Sequence, residues 1–105
     1  MQVVVKFTIN SGSMQFDSKE EFELFFQSLK KGIEFNKYKY DQLKQGRILS
    51  FTGQLVSPSV YENIIIYSNQ ESYDYLRLEY EAFKLDYFFE QMGWTFTRTF
   101  SYIYD

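Results

Sequence analysis

A chain of 105 residues with a formal charge of −3 has room for one hydrophobic core and is expected to form a single domain over residues 1–105. It contains neither cysteine nor histidine, which removes disulfides, thiolate chemistry and the imidazole that most often binds metals or moves protons near neutral pH. No metal, cofactor or catalytic activity is therefore expected.

Aromatic residues make up 22 % of the chain, with 12 Phe, 10 Tyr and one Trp. The core is expected to consist of large rings whose Tyr hydroxyls need partners or water. No stretch approaches the roughly 20 apolar residues of a membrane span. The opening MQVVVKFTI has no basic leader and no small-residue cleavage site, so a cytoplasmic protein without a signal peptide is expected. The surplus of Phe, Tyr, Ile, Asn and Lys, all with AT-rich codons, points to a low-GC bacterial host or one of its phages.

Gln2–Ile9 reads as a strand by its β-branched content, and its near-continuous apolar run predicts a central position buried on both faces. Asn10–Ser13 is a turn, and Met14–Phe16 a possible short strand. Ser18 and Glu21 form a capping box for a first helix, with Phe22, Phe25, Phe26 and Leu29 on one face and Lys30, Lys31 and Gly32 as its stop. Residues 33–46 read as partly strand-like at Phe35–Tyr40, followed by a polar loop. Arg47–Val56 and Val60–Tyr67 predict a hairpin across Ser57-Pro58-Ser59, with Gly53 marking a bulge.

Ser68–Gly93 predicts one long helix of about six turns, with a capping box at Ser68 and Glu71 and Gly93 as its stop. Its apolar residues fall in two stripes. Leu78, Ala82, Leu85, Phe89 and Met92 form one; Tyr73, Leu76, Tyr80, Phe83 and Tyr87 form the other, with an acidic ridge of Glu79, Asp86 and Glu90 between them. Alternation over Tyr73–Tyr80 allows a competing strand paired with Ile64–Tyr67. Trp94–Tyr104 is a strand with Trp94, Phe96, Phe100 and Tyr102 on an aromatic face and Thr or Ser opposite. The helices are expected to pack on the aromatic face, which leaves open what covers the Thr face.

The order matches the ferredoxin-like βαββαβ pattern. The expected fold is thus α+β, an antiparallel or mixed sheet of four to six strands with two helices.

Charge is distributed unevenly. Six cations stand against Glu34 and Asp41 from Lys30 to Arg47, and seven acids against Arg77, Lys84 and Arg98 from Glu71 to Asp105. Lys37, Tyr38, Lys39, Lys44 and Arg47 interleave cations and rings, as a nucleic-acid or nucleotide binding surface would, beside the simpler reading of a solvated loop. Tyr73, Leu76, Glu79, Tyr80, Phe83, Asp86, Tyr87 and Glu90 combine large rings with acids, as a protein-binding face would, beside the simpler reading of half-buried packing and a solvated ridge. No P-loop, dinucleotide fingerprint or nucleophile elbow is present.

The expected function is a non-catalytic protein-interaction module. In size and composition class it is similar to small phage or mobile-element inhibitors of the anti-CRISPR type, which implies steric occlusion of a host nucleic-acid-handling or defence protein. The alternatives are a nucleic-acid binding domain using residues 30–47 and a structural homodimer using the Tyr stripe.

Overall fold

The computed structural model describes residues 1–83 and 85–104; the side chains of Leu76 and of residues 78–83 lie outside the described set. Eight elements follow in order: β1 Gln2–Asn10, α1 Lys19–Gln27, α2 Lys30–Lys44, β2 Ile48–Ser57, β3 Val60–Tyr67, α3 Gln70–Phe83, α4 Leu85–Gln91 and β4 Thr95–Ile103. The four strands form one antiparallel sheet in the order β2-β3-β1-β4. This is the strand arrangement of the expected pattern, but two helices, α1 and α2, stand where one was expected between β1 and β2.

β1 lies in the middle of the sheet, as its β-branched run implies. Only one of its faces is sealed. Val3, Val5, Phe7 and Ile9 face the helices and are buried, whereas Val4, Lys6 and Thr8 are half-buried on the other side. The expected burial on both faces fails because the described helices pack on one side of the sheet. Met14–Phe16 is not a strand. It is a connection whose Phe16 ring packs into the core against Phe22 and Phe25, with the Phe16 amide donating to the Pro58 carbonyl at 2.8 Å.

Ser18 caps α1 as its sequence implies: its hydroxyl accepts from the Glu21 amide at 3.2 Å, while the Glu21 carboxylate accepts from the Asp17 amide at 3.1 Å. The helix then ends at Gln27, short of the expected stop at Gly32. Ser28 closes it by donating its hydroxyl to the Phe25 carbonyl, and Leu29 is extended. Lys30, Lys31 and Gly32 are the first turn of α2 and not the end of α1.

Residues 35–40 form no strand, and 41–44 no loop; both are helix. The residues that α2 buries, Gly32, Phe35, Tyr38, Lys39 and Gln42, recur at helical intervals. That period is written in side chains that only partly count as apolar, so the strand-like alternation of Phe35, Tyr38 and Tyr40 masks it.

The 73–80 stretch is helical, which removes the competing strand. Its cap sits one residue later than expected: the Asn69 side-chain oxygen accepts from the Ser72 amide at 2.8 Å, and the Ser68 hydroxyl instead meets that of Ser72 at 2.9 Å. Lys84 lies outside the described residues, so the single-rod expectation is not addressed between α3 and α4. Gly93, at φ 74°, ends α4 as expected.

The core is a continuous stack of rings. Phe22 lies over Tyr61 at 4.2 Å, and Phe89 stacks on both Phe96 (5.1 Å) and Trp94 (6.0 Å). The aromatic face is covered at Trp94, just before β4, and at Phe96, but Phe100 and Tyr102 on that face remain 47 % and 43 % exposed. Among the described residues no helix is long and apolar enough to cross a membrane.

Candidate functional site

A cavity of about 280 Å³ lies between α1 and α2 on one side and β2 and β3 on the other. Gly53, Tyr61 and Asn63 form its sheet side, Phe22, Glu23 and Phe26 of α1 and Phe35 and Lys39 of α2 its helical side. The strands bring Gly53 directly opposite Asn63, and Tyr61, next but one along β3, leans its ring across β2. A β-carbon on Gly53 would meet the Tyr61 hydroxyl at 1.8 Å. Glycine therefore leaves the opening through which Tyr61 reaches α1, where it donates to Glu23 Oε1 at 2.7 Å. The expected bulge at Gly53 is absent; the ladder slips between Ile48 and Ser50 and between Leu55 and Ser57 instead. What Gly53 provides is space.

Burial, and then the accepting, negatively charged Glu23, raise the Tyr61 phenol well above the ordinary tyrosine range, so it stays a donor. Lys39 is perturbed in the other direction. Only 8 % of it is exposed, and burial pulls its ammonium down to about 8 against the opposing pull of Glu23. Its Nζ sits over the ring of Phe35 at 4.9 Å and that of Phe51 at 4.6 Å. No carboxylate lies within ion-pair distance of it among the described residues. The cavity thus presents a donor hydroxyl already committed to a carboxylate and a cation committed only to ring faces.

The basic aromatic set does not form one surface. Lys37 and Lys44 are exposed, while Tyr38 and Lys39 turn into the core side of α2. Arg47 is used internally: it donates to the side chains of Gln42, at 3.0 Å, and Gln45, and stacks on the Tyr75 ring at 4.3 Å.

The expected protein-binding set is also divided. Tyr73 is 4 % exposed and packs edge-on against Tyr67 and Phe100, so it belongs to the core. Asp86 pairs with Arg98 at 3.5 Å. Tyr87 and Glu90 are exposed on α4. Leu76, Glu79, Tyr80 and Phe83 lie outside the described side chains. On the other stripe, Leu85 and Phe89 are buried and Met92 packs against the core.

The sheet face away from the helices is the second feature. Val4 stands opposite Ile66, with Ile64 and Ile103 nearby, and the rest of the face carries Thr8, Thr52, Thr97, Thr99, Ser101 and an ion pair of Lys6 with Glu62 at 3.6 Å. Val4, Ile64 and Ile66 are half-buried and Ile103 is 45 % exposed. No described residue lies over them as a second layer.

Sequence reasoning missed Glu23, Tyr61, Asn63 and Gly53 as a group. Glu23 looks like one of several acids at a helix start, and Tyr61 and Asn63 like ordinary strand residues. The available signal was Lys39 on the same helical face as Phe35 and Gln42, a cation where an apolar residue is the norm.

No family model matches the chain, and no curated protein matches it in sequence. Among solved structures it is similar to a dimeric ferredoxin-like protein from an uncultured marine organism. The two share 15 % identity with a TM-score of 0.62, over 100 % of this chain and 98 % of the other. At that identity the likeness shows the fold, a ferredoxin-like α+β sandwich.

Proposed function

We propose that the chain is a non-catalytic interaction module that works as a homodimer, with the uncovered sheet faces of two copies packed together. The observation behind this reading is the one-sided layering of the sheet: an antiparallel sheet with one face under helices leaves the other to water or to a partner, and here that other face carries Val4, Ile64, Ile66 and Ile103. A second copy brings an identical aliphatic strip, which a two-fold contact can pair with this one. The dimeric state of the structural neighbour supports the same reading.

Light scattering tests it. The expected mass at tens of micromolar is about twice the 12.7 kDa of one chain, falling to one chain in Ile66→Glu with an unchanged far-ultraviolet spectrum. A wild-type protein with the mass of one chain across that range overturns it. A second contact, the outer side of α4 at Tyr87 and Glu90, is favoured by the exposure of Tyr87, 60 %. Tyr87→Ala, in place of Ile66→Glu, would then dissociate the dimer. The narrower role of a steric inhibitor of a host nucleic-acid-handling protein would use this same α4 surface, with Asp86.

A further inference from the structure

We propose that the cavity between α1, α2, β2 and β3 binds a small organic monoanion, a carboxylate on a single-ring apolar body, with the carboxylate seated at Lys39 Nζ and the ring among Phe22, Phe26 and Phe35.

Lys39 carries the argument. A buried cation is normally paired, yet Lys39 is only 8 % exposed, lines the cavity and rests on two ring faces without a carboxylate in ion-pair range among the described residues. The nearest acid on the wall, Glu23, already accepts from Tyr61. A bound anion would supply the counter-charge that the fold leaves out, through a charge-assisted hydrogen bond in a low-dielectric site.

The charge count selects the class. The charged residues lining the cavity are Lys39, Lys19 and Glu23, two cations against one carboxylate. A monoanion balances this and a dianion does not. Size selects the body. A cavity of about 150 Å³ holds benzene, so about 280 Å³ takes one ring with a short acidic arm. The walls suit such a ring, and the Asn63 side chain adds a polar group on the sheet side.

Benzoate is the probe, with benzamide as its uncharged counterpart, each titrated into the isotope-labelled full chain and followed by amide chemical shifts. The expected result is saturable movement of the Gly53 and Asn63 amides with benzoate, and binding roughly tenfold or more weaker with benzamide, as the loss of one charged hydrogen bond requires. Lys39→Met should weaken benzoate to the level of benzamide. No saturable shift with millimolar benzoate overturns the proposal. So does equal response to benzoate and benzamide, a benzoate affinity unchanged in Lys39→Met, or saturation by inorganic phosphate alone. The benzamide comparison uses the wild-type chain, so the test stands even where the Lys39 variant does not fold.

Discussion

A β-carbon placed on Gly32 would lie 1.8 Å from the carbonyl oxygen of Phe26, so the α1 and α2 backbones touch at a point that only glycine fits. In a helix free of such a neighbour, replacing Gly by Ala gains up to about 1 kcal/mol. Here the sign reverses. Gly32→Ala must push α2 off α1, and a loss of about 2–3 kcal/mol is expected in a urea titration followed by circular dichroism. A neutral or stabilising result would mean that the two helices do not meet as described.

The Tyr61–Glu23 bond depends on a second close approach. Tyr61→Phe keeps the ring stacked on Phe22 but strips the donor from a half-buried carboxylate. We expect a loss of about 1–2 kcal/mol, since the bond is charge-assisted but partly wet. Gly53→Ala displaces the Tyr61 hydroxyl sterically and should cost about 1–3 kcal/mol. Because both changes act on one bond, the double variant should lose less than the two single losses combined.

Lys39 makes stability depend on pH in an identifiable direction. Its ammonium in the folded chain titrates near 8, below the ordinary value of 10.5. Between about pH 8 and about pH 10 the unfolded chain therefore holds more protons at this position than the folded chain, and stability rises with pH. Lys39→Met lacks that proton. Its stability relative to wild type should be highest below about pH 8 and fall by on the order of 2 kcal/mol by about pH 10. The other ionisable groups facing Lys39, Glu23 and Lys19 on α1, Tyr40 on α2 and Tyr61 on β3, are common to both proteins. A gap that stays constant with pH would show that Lys39 is not held out of water.

Tyr73 and Tyr87 look equivalent in sequence but sit in opposite environments, 4 % against 60 % exposed. Tyr73→Ala should cost about 3–4 kcal/mol, the range of a buried aromatic truncation. Tyr87→Ala should change the unfolding free energy by no more than about 0.5 kcal/mol in the absence of a partner. Parallel denaturant titrations separate them; similar losses would contradict the described packing of α3 and α4.

The sheet was legible because its signals are local and redundant. The isoleucine run in β3, the valine run in β1, the Pro58 turn and the Thr alternation in β4 each point to a strand. The helical layer was only half legible. Lys30-Lys31-Gly32 has the composition of a helix end, yet Gly32 is there for the contact with Phe26, a tertiary requirement with no local signature. For the same reason 35–44 reads as strand and loop: the buried face of α2 includes Lys39 and Gln42, polar residues whose burial depends on what lies beneath them. The cavity was illegible because Glu23, Lys39, Gly53 and Tyr61 come from four elements and are ordinary residues in each. Helical spacing and composition cannot tell a stripe under the sheet from one in water, and Tyr73 lies under the sheet.

Trp94 is the chain's one indole, and it is 5 % exposed between Phe22 and Phe25 of α1 and Phe89 of α4. The protein therefore carries a built-in optical reporter at the seam where the first and last helices meet. Intrinsic fluorescence excited at the indole band will register the release of either helix from the sheet. A mismatch between its midpoint and that of the peptide-bond signal would reveal that one layer lets go before the other.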